Sequence, residues 1–185
     1  MLTRGLRAAI AGEGARARRL LNVAQSRSKR ELARQGAAPA LLEARIEALA
    51  GRWDEAARIL RPIGSQPVEI GQVAYPAGMS AVRWLLADAF EQLGRSDSAA
   101  FYLEKVTTDP ATADQERHLR GIALPFAHRR LVLLYAGMGR LEDAKRHWQI
   151  FRETLRTPDP EIQPLIAEAR AALMSAEGMS ESSAR

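Results

Sequence analysis

The side chains best suited to move a proton or hold a metal near neutral pH are three histidines, His118, His128 and His147. Their spacing matches no metal-ligand motif, and no carboxylate stands at a telling distance from any of them in the sequence. His147 precedes Trp148 and reads as a packing or surface residue. The stretch Gly12-Glu13-Gly14 lacks the third glycine and the preceding strand that a phosphate-cradling loop needs. The acid pairs Asp54-Glu55 and Glu142-Asp143 read as first-turn charges, where the helix dipole favours them. The chain has no cysteine, which removes thiol nucleophiles, zinc–thiolate sites and disulfides. With no nucleophile beside a base, the expectation is a protein without catalytic residues, metal or cofactor.

Charge offers a second kind of chemistry. Residues 1–61 carry 13 basic and 6 acidic side chains, whereas the remainder carries 14 and 16. Arg16 and Arg19, then Arg27, Arg30 and Arg34, lie three or four apart and share faces of a helix expected near 15–35, with Lys29 adding to the charge. The plain reading is a solvated helix face. The functional alternative is an accessory module that docks nucleic acid or an acidic partner through this basic patch, with steep salt dependence. No aromatic residue interleaves the arginines, which argues against base stacking. No apolar run approaches the roughly 20 residues that cross a bilayer. The N-terminus also lacks the apolar core of a signal peptide, so the expected setting is the cytoplasm.

What positions these residues is a repeat. Four glycines are followed by alanine five positions later and a bulky apolar residue nine positions later: Gly12–Ala17–Leu21, Gly51–Ala56–Leu60, Gly94–Ala99–Leu103 and Gly139–Ala144–Trp148. About one match among the glycines is expected by chance. The four are spaced by 39, 43 and 45 residues, and Ala24, Ile63, Val106 and Phe151 recur twelve positions on. Before each glycine lies a helix-period segment, such as Leu131, Leu134, Tyr135 and Met138; after it lies another, such as Leu141, Ala144, Trp148 and Phe151. Glycine at a helix C-terminus turns the chain without a Cβ penalty. The unit is therefore helix, tight turn, antiparallel helix. Alanine five after the turn lets the two backbones approach, and the residue seven before the glycine should also be small. It is Gly5, Ala44, Ala87 and Val132.

In these residues the chain resembles a tetratricopeptide repeat protein over roughly residues 2–157. The third repeat has Ala87, Phe90, Gly94, Ala99, Leu103, Val106 and Pro110; the fourth has Val132, Tyr135, Gly139, Ala144, Trp148, Phe151 and Pro158. The period is longer than the family's 34 residues, and Trp84 lies ten rather than eleven before Gly94. The resemblance implies an all-α, right-handed solenoid of about four repeats (2–35, 38–63, 80–107 and 124–157). A capping helix at 161–174 completes a single domain over 1–174, with 175–185 expected to be disordered. Residues 64–79 read as a loop, and 107–121 as a second insertion with one helical turn near Ala113–Leu119. The ending is similar to the C-terminal arrays of some bacterial serine/threonine kinases and transcriptional regulators, which implies a longer parent.

The resemblance also implies a site. First helices of successive repeats line a concave groove that takes a peptide or partner segment. Counting back from each glycine places Arg45, then Trp84, Asp88 and Gln92, then Arg129 and Leu133 on that face. Guanidinium groups would take carboxylates or backbone carbonyls, and the indole would supply contact area. The implied function is a non-catalytic scaffold for protein–protein interaction, of the kind that forms the tail of a signalling or regulatory protein.

Overall fold

The computed structural model describes residues 2–26, 37–66, 79–108 and 117–183. Every element in them is helical: α1 (Leu2–Ile10), α2 (Gly14–Gln25), α3 (Ala38–Leu49), α4 (Trp53–Gly64), α5 (Met79–Gln92), α6 (Ser96–Thr108), α7 (Arg117–Gly137), α8 (Leu141–Thr154), a 3-10 turn at Pro160–Ile162 and α9 (Gln163–Ser183). The described fold is all-α.

The repeat glycines make the hairpins. Gly12, Gly51, Gly94 and Gly139 sit at φ 78°, 74°, 68° and 70°, left-handed backbone that any side chain would strain. The residue after each donates its N–H five positions back: Glu13 to Ala8, Arg52 to Glu47, Arg95 to Phe90 and Arg140 to Tyr135, at 2.8–3.0 Å. The glycine N–H itself reaches Ala9, Ala48, Glu91 or Ala136. This pair of bonds satisfies carbonyls that a helix end would leave open. Each second helix then begins two residues after its glycine. Ala17, Ala56, Ala99 and Ala144 are fully buried, and so are Gly5, Ala44, Ala87 and Val132 seven before the turns.

Contacts divide the described residues into two compact units, with the division inside α6 between Tyr102 and Leu103. In the first unit α3 packs on α1 and α2, and α5 packs on α3 and α4, so neighbours in sequence are neighbours in space. Part of its core is Leu21, Leu42 and Ile46 among Ala8, Ala9, Ala17 and Ala24. In the second unit α7, α8 and α9 pack pairwise around Val132, Phe151, Ile166 and Ala169. Side chains of this kind each contribute about 1.5–3 kcal/mol on full burial, which is why short helices with little propensity of their own persist here.

The bounds of several elements differ from expectation. Of the turn expected near Ala113–Leu119, residues 113–116 lie outside the described set, and 117–119 belong to α7, which runs from Arg117 through Pro125 to Gly137. The capping helix does not stop at 174, and the tail expected to be disordered from Ser175 is helical to Ser183. Helix formers continue past Met174, Ala176 is buried, and Lys145 of α8 pairs with Glu177 at 3.4 Å, so α9 keeps a packed edge. The helix expected near 15–35 ends at Gln25, and residues 27–36 lie outside the described set. Most of the expected 64–79 loop does too, at 67–78.

Candidate functional site

In the first unit, α3 and α5 carry four of the residues assigned to the groove. Arg45 and Asp88 both stand six before their glycines, and they meet across the two helices, Arg45 Nη1 to Asp88 Oδ2 at 4.0 Å. The Arg45 Nε is buried without an acceptor among the described residues. Trp84 and Asp88 are half-buried and Gln92 is exposed, one turn apart along α5. Two residues of this register escaped the sequence reading: Ile10 and Leu49, two before Gly12 and Gly51, are 72% and 43% exposed. The same count that gave Gln92 finds them. α1 and α3 pack together, so this face offers apolar side chains on two adjoining helices beside the Arg45–Asp88 pair.

In the second unit, Arg129 and Leu133 are both engaged. Arg129 pairs with Glu168 of α9, and its Nε has no acceptor among the described residues. Leu133 packs against the Val132–Phe151–Ile166–Ala169 core. Of the basic patch, Arg16 pairs with Glu13 at 2.9 Å, Arg19 is exposed, and Arg27, Arg30 and Arg34 lie outside the described residues.

The histidines require a correction. His128 and His147 are buried at 8% and 2% exposure, and a carboxylate does reach His147. Glu104 of α6 contacts His147 Nε2 at 2.9 Å and accepts from the Tyr135 hydroxyl at 2.8 Å. The Nδ1 atoms of His147 and His128 are 2.8 Å apart, so a single proton lies between them. With both rings neutral, His147 donates from Nε2 to the carboxylate, its Nδ1 accepts, and His128 donates. The hydrogen bond from His147, helped by that from Tyr135 and by Arg146, holds the Glu104 carboxyl at about 2 against the cost of burial. Burial, reinforced by His147, pushes His128 down to about 4. Burial and Glu104 raise the Tyr135 phenol. Glu104 and His147 are 43 residues apart, which no motif spacing reveals. One sign was available: His128 stands eleven before Gly139, where the resembled family places a bulky core residue.

A carboxylate–imidazole–imidazole chain of this kind orients a proton. Among the described residues no three His, Asp or Glu side chains are arranged to hold a metal ion. No described helix is long and apolar enough to cross a membrane. Compared with known proteins, the chain matches no family model, no curated protein and no solved structure.

Proposed function

We propose that this chain is a non-catalytic helical-repeat scaffold of the tetratricopeptide kind, which binds a segment of a partner protein on the first-helix face of its first unit. The observation that carries this reading is the face itself: Ile10 and Leu49 are exposed, and with Gln92, Arg45, Asp88 and Trp84 they stand two, six or ten residues before their glycines, one helical turn apart. Exposed apolar side chains flanked by a guanidinium and an indole suit an extended peptide with an apolar anchor and carbonyl or carboxylate groups. The solenoid reading rests on the recurrent glycine turns and on packing in chain order within the first unit. A cytoplasmic signalling or regulatory assembly is the setting this implies.

The test is selection of peptides from a random displayed library on the intact chain. Selected peptides should bind the wild type and weaken roughly tenfold or more with Trp84→Ala or with Ile10→Asp, the scale of an interface anchor. Binding that ignores both changes, or a library that yields no ligand, overturns the reading. Nothing in the described residues favours the basic patch as a nucleic-acid site, since Arg16 is already paired with Glu13.

A further inference from the structure

At the turn end of the first unit, a cleft of about 260 Å³ opens between α4, α5 and α6, lined by Arg61, Phe90, Arg95, Asp97, Ser98, Phe101 and Tyr102. Its floor is aromatic: Phe90 is buried and stacks parallel to Tyr102 with centroids 5.6 Å apart, and Phe101 stands edge-on to Tyr102 while 52% exposed. Two guanidinium groups stand over the same Phe90 ring, Arg95 at 4.9 Å and Arg61 at 5.6 Å from its centroid. None of these residues belongs to the first-helix face described above.

The repeat supplies an internal comparison. In the fourth repeat the arginine after the glycine, Arg140, covers Tyr135 at 4.5 Å and donates to the Asp143 carboxylate, three residues on, at 2.8 Å. In the second repeat, Arg52 at the same place donates to Glu47 at 2.5 Å. The first repeat reverses the pair, with Glu13 after the glycine and Arg16 three residues on. The third repeat has Arg95 after the glycine and Ser98 where Asp143 stands in the fourth. Arg95 keeps its place over the ring but has no carboxylate partner among the described residues, and neither has Arg61. At each of the other turns the arginine of the pair has a carboxylate from within the chain, whereas Arg95 has none among the described residues.

We propose that this cleft is a second docking site, which takes an acidic side chain of a partner polypeptide between Arg61 and Arg95 with an adjoining apolar side chain on Phe101. The size suits one or two residues of a peptide, being below the roughly 300–1,000 Å³ of sites for whole small molecules. The charge suits a carboxylate: Arg61, Arg95 and Asp97 together leave one net positive charge, which a single carboxylate balances and a phosphate dianion exceeds.

The probe is a fluorescein-labelled peptide, Asp-Leu-Asp-Phe-Asp with blocked ends, titrated into the intact chain by anisotropy. Binding should weaken roughly tenfold or more when the peptide's aspartates become asparagines, and equally with Ser98→Asp, because charge-assisted hydrogen bonds carry it. S98D is the decisive variant. It supplies from within the fold the carboxylate that Asp143 supplies in the fourth repeat, in a helical first turn that favours acid, so it should hold its thermal midpoint while losing the peptide. Arg61→Gln should weaken binding in the same direction. Equal binding by S98D and the wild type, indifference to the asparagine change, tighter binding of a phosphoserine peptide, or no binding by the wild type would each overturn the proposal.

Discussion

Acidifying the protein from pH 7 to pH 4 should remove about 3 kcal/mol of the second unit's stability through one side chain, His128. Its ordinary value of 6.5 is pushed to about 4 in the folded state, because burial, reinforced by His147, disfavours its charged form. The unfolded chain therefore binds more protons than the native one between those two values. Stability from this source is complete above pH 6.5 and declines as the pH falls, until it is exhausted near 4. Glu104 acts in a lower window, from 4.5 down to about 2, so the two contributions separate along the pH axis.

The comparison to make is His128→Gln, whose amide still donates to His147 but does not titrate. Urea denaturation of both proteins at pH 7, 6, 5 and 4, followed by far-UV dichroism and by tryptophan fluorescence, gives the two profiles. Ionisations common to both chains, His118 and the surface carboxylates included, cancel in the difference. The wild-type profile should fall more steeply than that of H128Q, by about 3 kcal/mol over the full range. Parallel profiles would refute the claim that burial in the fold holds His128 neutral, however stable either protein is at pH 7.

Four further outcomes follow from the packing. Gly94→Ala should cost about 1–2 kcal/mol by urea titration, all from left-handed strain, because a Cβ there meets no atom within 4 Å. Gly64→Ala should cost about 1–3 kcal/mol for a different reason: its Cβ would collide with Leu86 Cδ1, and Leu86 is fully buried and cannot step aside. Glu104→Ala should destabilise by about 2–4 kcal/mol, since it leaves the Tyr135 hydroxyl and His147 Nε2 without their acceptor; its thermal midpoint should not recover on raising the pH to 8. Ala99→Leu should cost about 1–3 kcal/mol and lower the unfolding midpoint, because its site is 0% exposed and has no room for three more carbons.

The helical hairpins were readable one residue at a time. A glycine ending an apolar stripe, an alanine five later and a bulky residue nine later describe contacts closed within about twenty residues, so local geometry decides them. Counting from those glycines also placed Arg45 and Asp88 on facing positions of α3 and α5. It would have added Ile10 and Leu49 had it been carried through every repeat. Helix ends were less legible: α9 extends to Ser183 because of an ion pair to α8 and one buried alanine, neither of which is a local signal.

The amino-acid order by itself determined where the chain turns and which stripe of each helix is apolar, since both depend on backbone strain and a 3.6-residue period. Tertiary structure alone decided which polar groups meet. Glu104, His147 and His128 come from three helices, Leu133 turns out to pack on a core, and among the described residues Arg95 has no acid of the kind Arg140 has. Those pairings depend on how far one helix slides and rotates against another. Burial of many interchangeable apolar side chains sets that displacement, and no single residue's spacing records it.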